Sequence, residues 1–146
     1  MNARQQIIAA TYGSNLLATY GFDSYGYPTS SKARVGSVYK QDYRYVFTAY
    51  TGNLYSRQNY LKGKTETFTY DNLNRLTGVT GPENLTMAYA NNGNILTKTD
   101  IGTNAYTYNH ATKPYALTEI TTSTGLIPAA HQTATYTSFE QVKTID

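Results

Sequence analysis

Cysteine and tryptophan are absent from this 146-residue chain, proline occurs four times, and only 14% of the residues are charged. Without cysteine there is no disulfide framework, no thiolate metal site and no thiol nucleophile. The low charge excludes disorder driven by self-repulsion. No stretch approaches the roughly 18 consecutive apolar residues of a membrane-spanning helix. The polar start Met1–Arg4 and the short apolar patch Ile7–Ala10 fall below the about 7–15 apolar residues of a secretory leader. The expectation is either a cytoplasmic protein or an internal piece of a longer secreted chain.

Familiar catalytic frames are missing too. His110 and His131 lie twenty-one positions apart with no metal-ligand spacing around them, and there is no GxSxG elbow and no phosphate-binding loop. His110 falls in an expected turn and reads as a solvent-exposed imidazole. Asp23, Asp71 and Glu66 could pair as glycosidase carboxylates, but Asp23 and Asp71 occupy turn positions where backbone hydrogen bonding accounts for the residue type. No cofactor and no enzymatic activity are expected. The net charge of +3 divides unevenly: residues 1–64 carry eight Lys/Arg against two acids, and residues 65–146 carry four against seven. The basic residues Lys32, Arg34, Lys40, Arg44, Arg57, Lys62 and Lys64 are too dispersed for a nucleic-acid surface, which needs cations converging on one face. A solvated sheet face is the expectation.

What the chain has in excess is tyrosine, sixteen of them, in company with threonine; both favour pleated, half-buried surfaces. A pattern recurs with them. Phe68-Thr69-Tyr70-Asp71-Asn72-Leu73-Asn74-Arg75-Leu76 and Met87-Ala88-Tyr89-Ala90-Asn91-Asn92-Gly93-Asn94-Ile95 each place an aromatic six positions before a large aliphatic. Phe22-Asp23-Ser24-Tyr25-Gly26-Tyr27-Pro28 keeps the frame, with Gly26 matching Asn74 and Gly93. Phe47 to Leu54, through Gly52 and Asn53, has one extra turn residue; the segments starting at Tyr106 and Tyr136 are worn copies. The anchor aromatics are Phe22, Phe47, Tyr70, Tyr89, Tyr108 and Tyr136, at intervals of 25, 23, 19, 19 and 28. Period-two alternation in Glu66–Tyr70 and Leu85–Tyr89, followed by Asn, Asp and Gly, reads as strand, tight turn and returning strand. Ala90 and Asn109 replace the turn Asp, so those two turns are expected to differ.

The predicted fold class is all-β: one region, 1–146, of antiparallel hairpins forming a twisted or curved sheet, with about one strand per ten residues. A short helical cap is expected near Arg4–Ala9, within residues 1–10. Periodicity leaves open whether the sheet closes. A lone hairpin is marginal, so the hairpins are expected to pair side by side, and unpaired edges to promote self-association.

The segments Tyr70–Thr77, Thr51–Leu54, Thr11–Asn15, Tyr20–Pro28 and Pro114–Ile120 resemble YD repeats, the unit of bacterial Rhs and wall-associated proteins and of related toxin-complex and teneurin shells. The resemblance runs from about Tyr12 to Ile145. It implies a secreted or surface-attached bacterial protein whose repeats build a β-shell that encloses or displays a C-terminal toxin or effector; several members have been linked to carbohydrate binding. The chain departs from the family in lacking the Asp-Pro dipeptide at which such shells are cut, so it resembles shell wall without protease or payload.

Two functional classes stay open at the level of sequence. One is a structural module whose partners are neighbouring repeats and a C-terminal effector. The other is an adhesion module for glycan or protein, using Tyr39, Tyr43, Tyr45, Tyr55 and Tyr60, which lie outside the repeat core among Gln41, Asp42, Arg44, Gln58 and Asn59. Val38–Tyr45 and Asn53–Tyr60 read as strands that would pair into a tyrosine ladder. Such ladders also stabilise sheets without binding anything.

Overall fold

The computed structural model describes residues 1–13, 15–103, 105–121, 131–139 and 141–146. Ser14 of the Thr11–Asn15 segment and Glu140 of the last worn copy lie outside the described residues. The chain divides into two compact units, Met1–Asn84 and Leu85–Asp146. Both are β-structure, as the sequence predicts.

The first unit contains β1 (Ala9–Tyr12), β2 (Leu16–Phe22), β3 (Pro28–Val35), β4 (Val38–Phe47), β5 (Leu54–Asn59), β6 (Lys64–Tyr70) and β7 (Leu76–Thr80), each antiparallel to the next in sequence order. Alternation sorts their side chains onto two faces. One face carries Tyr20, Tyr43, Tyr45, Phe47, Phe68 and Tyr70. The other carries Lys32, Asp42, Arg44, Gln58, Thr65 and Thr67. The registers Ala18↔Ala33, Tyr43↔Asn59 and Arg57↔Glu66 keep each set together across the strands. Among the described residues of this unit the one buried apolar residue is Ala18, and no side chain is fully enclosed. The sheet's aromatic face is therefore only half covered.

The expected helical cap over Arg4–Ala9 does not form. Asn2 Oδ1 accepts hydrogen bonds from the amides of Arg4 and Gln6, and Gln5 has φ of 61°. Asn2 also donates its N–H to the Gln6 carbonyl and Gln5 donates back to the Asn2 carbonyl, both at 3.0 Å, so a tight turn with one residue at positive φ replaces the helix and the chain enters β1 by Ala9. The described helical content is a single 3-10 turn, Tyr60–Lys62, capped by Asn59 and ended by Gly63.

The second unit contains a hairpin of β8 (Leu85–Tyr89) and β9 (Ile95–Lys98), and a sheet of β10 (Tyr106–Thr107), β11 (Glu119–Thr121), β12 (His131–Tyr136) and β13 (Val142–Ile145), antiparallel in sequence order. Ala105 is its buried apolar residue among those described.

Five hairpins share one construction. Phe22, Phe47, Tyr70, Tyr89 and Tyr136 stand opposite Pro28, Leu54, Leu76, Ile95 and Val142, and the register shifts by one residue just before each aromatic. The extra residue is the second of the returning strand: Thr29, Tyr55, Thr77, Leu96 or Lys143. Such bulges kink and twist the strand locally. In three of these turns the first residue donates its N–H to the fifth carbonyl, and the fourth donates back to the first: Asp23 with Tyr27 and Gly26, Asp71 with Arg75 and Asn74, Ala90 with Asn94 and Gly93. The fourth residue has φ of 95°, 59° and 92° in turn, the region that favours Gly and Asn. The turn at Ala90 therefore has the same backbone as the Asp turns, contrary to expectation. What it lacks is the side-chain cap. Tyr108 is the exception among the anchors: it follows β10 rather than ending a hairpin arm, and the chain returns only at Glu119.

Candidate functional site

The carboxylates of the turns act on their own backbone. Asp23 Oδ1 accepts from the amides of Tyr25 and Tyr27, both at 2.9 Å. Asp71 Oδ1 does the same for Leu73 and Arg75, and its Oδ2 meets Arg75 Nε at 2.7 Å. The Arg75 amide, then the Arg75 side chain and the Leu73 amide, hold the Asp71 carboxyl below the ordinary carboxylate range. These acids are employed in the turns.

The anchor aromatics and their neighbours tie hairpins to one another. Tyr70 donates its hydroxyl to the Leu54 carbonyl at 3.0 Å, and Leu54 is the residue opposite Phe47 in the preceding hairpin. Tyr136 donates to the Leu117 carbonyl at 2.7 Å. Tyr108 hydrogen-bonds the backbone of Ile95, the residue opposite Tyr89; burial, the larger influence, raises its pKa. Tyr27 stacks on Phe47 at 5.3 Å between ring centres. A Cβ on Gly52 would meet the Tyr27 hydroxyl at 2.9 Å, so the residue at this turn must be small as well as tolerant of its φ of 70°. Asn53 Nδ2 reaches Asn74 Oδ1 at 2.8 Å, joining one turn to the next.

The five candidate recognition tyrosines do not converge. β4 and β5 pair as expected, but the ladder does not form, because Tyr43 stands opposite Asn59 and Tyr45 opposite Arg57. The stacking runs along β4 instead, Tyr43 against Tyr45 at 6.3 Å. The Tyr43 hydroxyl accepts from Asn59 Nδ2 at 3.1 Å, and burial raises the Tyr45 pKa. A register shift between Ala33 and Arg34 pairs Tyr39 with Arg34, which sets it on the face opposite Tyr43. Tyr55 is a bulge residue, 56% exposed. Tyr60 lies in the 3-10 turn with the Arg44 guanidinium 4.0 Å from its ring centre. That cation occupies one side of the ring.

Two features went unread in the sequence. Asp42, 5% exposed, lies between Lys32 at 3.9 Å and Arg44 at 3.5 Å. The one signal for it was its position as the sole acid among the basic residues from Lys32 to Lys64. The second is a polar depression of about 310 Å³ beside Tyr43, lined by Arg57, Asn59, Lys62, Lys64 and Glu66. Within it Glu66 Oε2 accepts from Arg57 Nε at 2.8 Å and Nη2 at 2.7 Å. His110 is half-buried rather than solvent-exposed, edge-on to Tyr136 at 6.5 Å. Among the described residues no three His, Asp or Glu gather as a metal site, and no helix is long and apolar enough to cross a membrane. No protein-family model matches the chain, and no curated protein is significantly similar to it.

Proposed function

We propose that the chain is a non-catalytic scaffold section of a secreted or surface-attached protein of the YD-repeat kind, contributing wall to a β-shell that encloses or presents a C-terminal toxin or effector. The observation that carries this reading is the joint between hairpins: an anchor tyrosine reaches back to the backbone of an earlier segment, as Tyr70 does to Leu54. The polar groups with the best geometry are thereby spent on holding strands in sequence order. The half-covered aromatic face of the first unit suits a wall that lies against further protein. The test is protease protection in the complete gene product. The domain following the repeats should resist added protease and lose that resistance when the repeat region is disrupted by Gly52→Val. Cleavage of that domain at the same rate with or without the repeats overturns the reading.

A second reading, a glycan- or protein-binding surface, rests on the depression beside Tyr43, where a half-exposed aromatic stands next to amide and charged groups. Glycan-array signal that disappears in Tyr43→Ala supports it, and an array without signal removes it.

A further inference from the structure

Antiparallel strands in sequence order are joined alternately at the two ends of the sheet, and in the first unit the two ends differ in charge. The repeat turns 23–27, 48–53 and 71–75 lie at one end, and the links from β3 to β4 and from β5 to β6 lie at the other. The repeat turns, with Arg4 bonded to the Ser24 carbonyl, set Arg4 and Arg75 against Asp23 and Asp71. At the opposite end the segments 33–40 and 59–65 carry Arg34, Lys40, Lys62 and Lys64 and no acid. Of the acids that border Lys62 and Lys64, Glu66 is held by Arg57, and Glu83 lies in the link that follows β7. Lys40, Lys62 and Lys64 are exposed and make no ion pair among the described residues. Cations that are dispersed along the chain are thus gathered by strand pairing.

The same tips expose apolar side chains. Val35 and Val38 pair across the turn Gly36-Ser37 and are 41% and 56% exposed. Leu61, in the 3-10 turn, is 49% exposed. Tyr39 and Tyr60 are exposed beside them. The two tips are neighbours, because Lys40 from one and Leu61 and Lys62 from the other line a common depression of about 280 Å³. Each of β3, β4, β5 and β6 has a strand on both sides, so this surface owes nothing to an unpaired edge.

We propose that this end of the sheet is a peripheral contact for an anionic lipid surface. Val35, Val38 and Leu61 enter the boundary between headgroups and acyl chains, and Arg34, Lys40, Lys62 and Lys64 meet the acidic headgroups around them. Burial of apolar area and attraction to anionic lipid act together in such contacts. Tyrosines suit the headgroup level, where the ring is apolar and the hydroxyl wet. Lysines lay their stems along the apolar zone and keep the ammonium among phosphates. Charge complementarity alone would fit a soluble polyanion as well. Such a partner would leave the three aliphatic side chains in water, whereas a bilayer employs both sets. The contact goes beyond the scaffold reading and does not depend on it.

The test is sedimentation of the chain with vesicles. It should bind phosphatidylcholine vesicles that contain phosphatidylglycerol, bind pure phosphatidylcholine about tenfold more weakly or worse, and lose affinity as salt rises. Lys62→Ala and Lys64→Ala should each weaken binding about fivefold. Leu61→Ser should weaken it about tenfold at every salt concentration. Leu73→Ser, at an exposed leucine on the charge-balanced end, should leave it unchanged. Because the chain has no cysteine, Leu61→Cys and Leu73→Cys can each carry one environment-sensitive dye. Emission should move to shorter wavelength on the anionic vesicles from position 61 and not from position 73. Absence of binding to both vesicles, equal binding to both, or full binding by Leu61→Ser overturns the proposal. Full binding by Leu61→Ser, together with displacement by a short DNA duplex, would identify a site for soluble polyanions instead. If Leu61→Ser fails to fold, Val38→Ser takes its place and the dye at position 61 still decides.

Discussion

Tyr70 and Asp71 are adjacent in the chain and act in different directions. The tyrosine reaches out to the preceding hairpin, while the carboxylate folds back on its own turn. Tyr70→Phe keeps the ring and removes the hydroxyl that satisfies the Leu54 carbonyl. The expected loss is about 1 kcal/mol in denaturant unfolding. Asp71 contributes through ionisation. Its pKa is lowered on folding, so its contribution is complete above the unfolded carboxylate value of about 3.9 and disappears as pH falls through the lower folded value. Asp71→Asn retains an acceptor for the two amides and lacks the charge. Its Tm should fall below that of the unmodified chain at pH 6, and the two should converge toward pH 2; a constant difference at every pH would refute the assignment.

At the scale of one hairpin, the joint between turn and bulge sets the register. A single residue with positive φ closes the turn, and an extra residue in the returning arm takes up the offset. Gly93→Ala isolates the backbone part of this arrangement, because φ is 92° there and an added Cβ meets nothing within 4 Å. The expected cost is about 1 kcal/mol, read from the unfolding midpoint. Gly26→Ala should cost about as much, since φ is 95° there and the Arg4 guanidinium that its Cβ would meet at 2.7 Å is the free end of a flexible side chain.

These hairpins were legible because their signals are local. The spacing from Tyr70 to Leu76, the Asn and Gly in the fourth turn position and the alternation of Glu66–Tyr70 all lie within a dozen residues. The tyrosine cluster was not legible. Whether Tyr45 meets another tyrosine or Arg57 depends on register, and one bulge changes the answer for the whole strand. The pairing of Asp42 with Lys32, and the placing of Arg44 over Tyr60, join residues from different strands or a turn that alternation alone does not align. The N-terminal cap failed for a local reason of another kind, the tight turn closed between Asn2 and Gln6 with Gln5 at positive φ.

Across the first unit, strands succeed one another in sequence order with little interior, so stability should grow with each added pair of strands. Tandem duplication of residues 38–63 adds β4, β5 and their two turns without reversing strand direction. The expected result is a higher Tm and a steeper dependence on denaturant, because more surface is exposed on unfolding. A lower Tm with an unchanged slope would show that the hairpins do not stack additively.

By itself the sequence determined the all-β class, the turns of the five hairpins led by Phe22, Phe47, Tyr70, Tyr89 and Tyr136, and the aromatic that ends each of their outgoing arms. Strand alternation and turn chemistry act over a few residues, and composition alone expresses them. The tertiary structure decided which tyrosines are occupied, and that Asp42 lies between Lys32 and Arg44. Those outcomes depend on register and strand order, and both are set by contacts between residues far apart in the chain.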